Sequence, residues 1–421
     1  MNTRMDRSKF HLAIYGLYHR TPAYVRACAE CGVDFVLSAI FENESHLLDE
    51  MYKYGLGCIR FCYPLPHWGG EGYGYLGRMP EKFPLEECYI APSRTFKDHP
   101  ALWGLDIADE PSAMDFPYLG KIAETVNYYY PNQFPYFNLY PEHGRAAESM
   151  EDAINSDFGT LSYEDYLDRF CENIDTHYIS YDFYLYGGAP EWRDWTRGGK
   201  LSRFYENFRL VSDKCHKYGK DFWVIMLGNS WEGQPYRDPP SQTLPIELLR
   251  FQAYSAMAFG VKSIAWWESW ICDTEGNITE QHGRLKQMNQ EIRTIAEEYM
   301  KYRNVHTHFV GFDGYPDLTS VQQKGVPALN NGVFFDLKSD MDTPLVIGQM
   351  INDEDGSHAL MISMADDPFN ENPLEYNITF RAGGRAVRAI GGDGPILITK
   401  HEDGSYSVPV HSNMGLLLIA R

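Results

Sequence analysis

The sequence predicts an α/β protein, a (β/α)8 TIM barrel followed by a small all-β sandwich domain. Eight short apolar, β-rich runs recur as far as Glu268, separated by segments long enough for helical crossovers. An amphipathic helix follows the eighth run, which is the arithmetic of a closed barrel. From about Tyr302 the texture changes to short apolar runs spaced by Gly, Pro and Asn.

The first two runs, 11–18 (HLAIYGLY) and 34–40 (DFVLSAI), are β-rich stretches of strand length. The third, 58–63 (CIRFCY), carries Arg60 on its inward face. In the fourth, 102–109 (LWGLDIAD), alternation turns Leu105 and Ile107 toward the helices and Asp106, Ala108 and Glu110 into the barrel, and Pro111 ends the strand. The fifth, 135–140 (PYFNLY), directs Asn138 and Tyr140 inward, and the sixth, 178–184 (YISYDFY), directs Ser180 and Asp182 inward with Tyr184 near the mouth. The seventh is 222–228 (FWVIMLG). The eighth, 262–268 (KSIAWWE), has two parities: either Ser263, Ala265 and Trp267 face inward, or Ile264, Trp266 and Glu268 do. The smaller residues favour the first. Mutual pairing is a purely structural use for the buried Arg60 and Asp106.

The closing helix is read over 283–302, where Leu285, Met288, Ile292, Ile295, Ala296 and Met300 recur at helical spacing and pack against the outside of strand eight. Beyond it come GVFFDL, LVIGQMI, HALMISMA, YNITFRA, RAVRAIG, ILITK and MGLLLIA, the strands of a sandwich. The expected division is a barrel over 1–302, a linker over 303–330 and a sandwich over 331–421. The sandwich turns carry no clear aromatic platform, so its expected role is to pack on the barrel.

Composition narrows the function. Of 421 residues, 37 are Lys or Arg and 58 are Asp or Glu, a net charge of −21 that repels phosphate backbones and anionic headgroups. Neither nucleic acid nor a membrane surface is an expected partner. No stretch has the roughly 18 uninterrupted apolar residues of a spanning helix. The opening MNTRMDRSKF has no apolar h-region, so a cytoplasmic protein is expected, or a periplasmic or secreted one if a leader has been removed. Eight Cys are too sparse for a disulfide scaffold, and the C-x-x-C of Cys28 and Cys31 has no second pair at zinc-ribbon spacing, so packing is its expected role. The 14 His show no H-x-H on the first strand, and neither a metal nor a cofactor is expected. Aromatic residues reach 15%, which suits either sugar binding or the packing of a large barrel.

Barrel enzymes carry their chemistry at the C-terminal ends of the strands. Glu110 lies there, and a carboxyl walled by aromatic rings has its neutral form favoured, as a general acid requires. A salt-bridged or loop-capping carboxylate is the plainer alternative. Two candidates offer a second carboxyl: Glu268 within Trp266-Trp267-Glu268-Ser269-Trp270, and Glu232 just beyond strand seven. Position gives a substrate-binding set of His67, Trp68, Asp109, Asn138, Tyr140, Asp182, Tyr184, Trp231, Trp267 and Trp270. Indole faces among these suit the C–H face of a sugar ring.

The strand-four W-G-x-x-x-x-D-E-P, the N-L-Y-P of strand five, the Y-D-F-Y of strand six and the stretch ELLRFQAYSAMAFGVKSIAWW resemble the clan A (β/α)8 glycoside hydrolases, in their family 42 β-galactosidase-like and family 5-like branches. The resemblance covers about residues 10–300. It implies hydrolysis of a glycosidic bond by a carboxyl pair, with the acid/base of an Asn-Glu-Pro motif falling on Glu110, and Asp109 standing where that motif has Asn. Asp accepts a hydrogen bond but does not donate one as an amide does. The family's strand-seven nucleophile is missing, since that strand ends Met226-Leu227-Gly228-Asn229. Glu232 or Glu268 then takes the role, or the enzyme inverts, or the barrel is a catalytically silent carbohydrate-binding protein.

Overall fold

A computed structural model describes residues 4–17, 19–39, 45–61, 96–185, 200–229, 243–267, 270–312, 333–370 and 372–421. Eight parallel strands form one sheet: β1 (His11–Tyr15), β2 (Phe35–Ala39), β3 (Gly57–Phe61), β4 (Leu102–Asp109), β5 (Phe134–Asn138), β6 (Tyr178–Asp182), β7 (Asp221–Leu227) and β8 (Val261–Trp267). Their order is β5-β4-β3-β2-β1-β8-β7-β6, so all eight expected runs are strands and each lies beside its barrel neighbours.

The circle closes between β5 and β6, where the ladder shrinks to a single bridge, Leu139 with Tyr181. Side chains complete this seam. The Tyr178 hydroxyl accepts from the Phe137 N–H at 3.0 Å and donates to the Pro135 carbonyl at 2.9 Å. The Tyr136 and Ser180 hydroxyls bond at 2.7 Å. Both buried backbone groups thus find partners where no strand supplies them.

Two apolar layers surround the sheet. Outward residues such as Leu105, Ile107, Tyr181, Val224 and Ile264 join the helices, while Ala13, Leu37, Ile59, Tyr136, Tyr178, Trp223, Ile225 and Ala265 fill the barrel. Tyr178 stacks on Trp223 with centroids 4.2 Å apart and on Tyr136 at 5.6 Å. Much of the aromatic content therefore plugs the barrel beneath its mouth. Cys28 and Cys31 are buried free thiols, pushed up by burial, Cys31 to about 12. The closing helix spans Glu280–Tyr299, capped by Thr279, whose hydroxyl oxygen accepts from the His282 N–H at 3.4 Å.

The C-terminal region is two antiparallel sheets. One joins β10 (Phe335–Ser339), β13 (Glu375–Arg381), β17 (Tyr406–His411) and β16 (Thr399–Lys400). The other joins β15 (Gly394–Ile396), β14 (Val387–Gly391), β18 (Gly415–Ala420), β12 (His358–Met364), β11 (Leu345–Ile351) and β9 (Arg303–Val310). The structure corrects the expected linker over 303–330 at its start, because Arg303–Val310 is an edge strand paired with β11. Residues 313–332 lie outside the described residues.

The sandwich sits on the helix Ile246–Ala258, whose residues from Phe251 to Ala258 are all buried. Glycine makes the approach possible: a Cβ on Gly348 would stand 2.1 Å from the Ala258 carbonyl oxygen, and one on Gly415 2.2 Å from the Tyr254 ring. Polar closure comes from Glu291, which accepts from Arg250 Nε and from the Tyr254 hydroxyl, each at 2.9 Å.

Candidate active site

Strand β4 does not alternate strictly. It is bulged opposite β3 at Trp103 and opposite β5 at Ile107, so two residues rather than one separate successive inward positions. Trp103, Asp106 and Asp109 face the interior, while Leu105, Ile107 and Ala108 join the outer layer. This corrects the expected inward set of Asp106, Ala108 and Glu110. Arg60 is also corrected: Ile59 holds the inner face of β3, and the Arg60 guanidinium lies 5.9 Å from the ring centroid of Phe96 in the outer layer. Asp106 instead accepts from the Ser38 hydroxyl at 2.6 Å.

Glu110 reaches the mouth by a different route. It sits just past the last residue of β4 with φ 47°, a left-handed conformation that costs a non-glycine residue roughly 1–2 kcal/mol. The ring of Pro111 disfavours the right-handed helical alternative. Two contacts fix the turn: the Glu110 N–H donates to the Asn138 carbonyl at 2.8 Å, and the Tyr166 hydroxyl donates to the Pro111 carbonyl at 2.8 Å. Tyr166 is held in place by the helix Tyr163–Asn173, whose Ser162 cap accepts from the Asp165 N–H at 3.1 Å.

Strands β5 and β6 are regular and carry their residues as alternation expects. Asn138 is the hub, its side-chain nitrogen donating to Asp109 Oδ1 at 3.0 Å and to Asp182 Oδ1 at 2.8 Å. The other oxygen of Asp109 accepts a long bond, 3.5 Å, from Tyr15. Asp182 also takes a hydrogen bond from Tyr184, whose ring stacks on Trp267 with centroids 4.5 Å apart at 28°. In β8 the inward set is Ser263, Ala265 and Trp267; Trp266 turns outward and donates to Asn289 of the closing helix at 2.8 Å. Tyr140 is half-buried against Phe158 and Tyr166. Trp270 stands edge-on to His19 with centroids 5.6 Å apart.

Burial and mutual repulsion govern the acids here. Glu110 is pushed far above the usual carboxylate range, first by burial and then by the charges of Asp182, Asp109 and Asp157. Burial and Asp109 push Asp182 up less far. Asp106 is pushed up to about 8, chiefly by burial, and burial also raises Asp109. Such a mouth favours the protonated form of Glu110 and holds hydrogen-bonded carboxyls beside it. Among the described residues no group of three His, Cys, Asp or Glu is arranged to hold a metal, and no helix is long and apolar enough to cross a membrane.

Of the expected site residues, Asp109, Glu110, Asn138, Tyr140, Asp182, Tyr184 and Trp267 converge on this mouth. His67, Trp68, Trp231, Glu232 and Glu268 lie outside the described residues. Sequence reasoning missed Tyr15, Ser38, Tyr166 and Asp157. Alternation extended from Ala13 would have placed Tyr15, whereas Ser38 depends on an irregularity in β2 and its own φ of 57°. A cavity of about 520 Å³ opens at the opposite end of the barrel, lined by Lys220, Asp221, Lys262 and Arg303 among others. Two of its cations are paired, Lys262 with Asp221 at 2.9 Å and Arg303 with Asp353 at 2.7 Å, and Lys220 donates to the Thr176 carbonyl.

Fold and mouth together define a (β/α)8 barrel with an acidic, tyrosine-walled opening. No protein-family model matches the chain, and no curated protein matches it. Among solved structures it is similar to AbfB, a family 51 α-L-arabinofuranosidase from Bifidobacterium longum, at 11% identity and a TM-score of 0.46, covering 99% of this chain and 96% of that one. It is similar to a family 5 mannosidase from Rhizomucor miehei at 11% identity and a TM-score of 0.40, covering 69% and 94%. The α-fucosidase of Thermotoga maritima, in complex with fucose, matches at 10% identity and a TM-score of 0.38, covering 95% and 79%.

Proposed function

We propose that the protein is a glycoside hydrolase that cleaves an O-glycosidic bond of a plant- or microbe-derived glycan, with Glu110 as the proton donor. One observation carries this: a buried carboxyl just past the end of the fourth strand, anchored on Asn138 beside the hydrogen-bonded Asp109 and Asp182, at a mouth walled by Tyr140, Tyr184 and Trp267, where burial favours its neutral form. The proton of Glu110 passes to the glycosidic oxygen as the bond from that oxygen to the anomeric carbon breaks. A second carboxylate attacks that carbon or activates water; the sequence offers Glu232 and Glu268 for this. Asp109, Asn138 and Tyr140 supply hydrogen-bonding groups for sugar hydroxyls, and Trp267 an apolar face. No residue in this scheme calls for a metal or a cofactor.

The experiment compares wild type with Glu110→Gln on phenyl and 4-nitrophenyl glycosides of common hexoses, pentoses and 6-deoxyhexoses. Loss of the acid should slow phenyl glycosides roughly 10²–10⁴-fold and the better 4-nitrophenyl leaving group far less. Equal, undiminished turnover by the variant would eliminate the assignment. The end of strand seven favours a second reading, a carbohydrate-binding barrel without turnover, because Leu227, Gly228 and Asn229 supply no carboxyl there. Calorimetric binding of an oligosaccharide that wild type leaves uncut would support it.

A further inference from the structure

We propose that Asp182, at the end of the sixth strand, is the carboxylate that works opposite Glu110, as general base on the attacking water. This rests on the hydrolase reading and departs from the sequence expectation, which sought the partner after strand seven or eight. Asn138 ties the two acids together: its carbonyl anchors the Glu110 backbone at 2.8 Å, and its side chain donates to Asp182 at 2.8 Å. One strand, β5, stands between β4 and β6, so their backbones are roughly 9–10 Å apart, two strand spacings. Inverting enzymes hold their two carboxyls about 6.5–9.5 Å apart with a water between them, and acids rising from strands two spacings apart, with Asn138 between, suit that arrangement. Asp182 is held by two donors, Asn138 and Tyr184, that favour its ionised form, and Glu110 accepts no such bond in the structure's described contacts. Environment thus separates the two acids into a protonated donor and a more readily ionised base.

The step balances. Asp182 takes a proton from water as the water oxygen bonds to the anomeric carbon, and the leaving alcohol takes the proton of Glu110. A free sugar of inverted anomeric configuration is released, with Asp182 protonated and Glu110 ionised, and solvent exchange restores both. The titratable groups electrostatically coupled to Asp182 are Asp109 at the end of the fourth strand and Glu110 just past it, Tyr140 after the fifth, Tyr163 from the following helix, Tyr181 on the outer face of the sixth strand and Tyr184 just beyond it.

The test uses the full chain and the same phenyl and 4-nitrophenyl glycosides. If wild type cleaves none, the hydrolase reading fails first. If wild type and Glu110→Gln behave as above, Asp182→Asn should lose roughly 10²–10⁴-fold in kcat on both leaving groups alike, because activation of water does not depend on the leaving group. Proton NMR of the first-formed sugar should show inversion. Tyr184→Phe, which removes a donor from the ionised form, should move the acidic limb of the kcat/KM profile to higher pH even if Asp182→Asn folds poorly. Retained turnover in a folded Asp182→Asn, a retained anomer, or an unmoved limb in Tyr184→Phe would each overturn the proposal.

Discussion

The β5/β6 seam makes a quantitative demand on one hydroxyl. Tyr178→Phe keeps the ring that stacks on Trp223 but removes the oxygen that serves both the Phe137 N–H and the Pro135 carbonyl. Both backbone groups are buried, and the neighbouring ladder is too sparse to replace the lost partner. An orphaned buried donor or acceptor costs about 1–3 kcal/mol, so the pair predicts a loss of roughly 2–6 kcal/mol. Urea unfolding followed by tryptophan fluorescence measures it, with Tyr128→Phe as control, since Tyr128 is 78% exposed and should change nothing. Hydrogen exchange at the Phe137 amide should accelerate in the variant. A loss under about 1 kcal/mol with unchanged exchange would refute the idea that a side chain closes the barrel.

Three further predictions concern the acids. Asp106 is pushed up to about 8 when folded, so between the unfolded value and that pH the folded protein holds a proton the unfolded chain has released. Its contribution is complete below the unfolded pKa and is lost as pH rises through the folded one. Asp106→Asn, which still accepts from Ser38, should therefore gain on the order of 4 kcal/mol by pH 7 and little at pH 4; a pH-independent Tm difference contradicts this. At position 110, Glu110→Gly should be more stable than Glu110→Ala by about 1 kcal/mol in chemical denaturation, because only glycine accepts a φ of 47° freely; equal stability contradicts the strain. The pH profile of kcat/KM should rise with ionisation of the base and fall with loss of the Glu110 proton, giving an optimum on the alkaline side of ordinary carboxyl pairs. An optimum in the acid range contradicts it.

The barrel was legible because strands covered on both faces leave continuous apolar runs, and every run from 11–18 to 262–268 coincides with a strand to within a few residues. Asn138 and Asp182 were legible because β5 and β6 keep period two. Asp109 and Arg60 were misplaced by alternation. For Asp109 the cause is β4: a bulge shifts the facing of every residue after it, and nothing in LWGLDIAD announces two of them. Strand β9 was hidden for another reason: RNVHTHFV is polar and mostly half-exposed along the sheet edge, so it reads as a connector. Asp157 lies in a loop with no periodicity at all, and only the folded chain brings its charge to Glu110.

The most direct measurement is infrared difference spectroscopy of wild type against Glu110→Gln at neutral pH. A protonated Glu110 gives a carboxylic C=O stretch present in wild type and missing from the variant, and raising the pH should convert it to carboxylate bands well above the usual range. A difference spectrum showing only carboxylate bands at pH 7 would mean that Glu110 is already ionised and has no proton to donate.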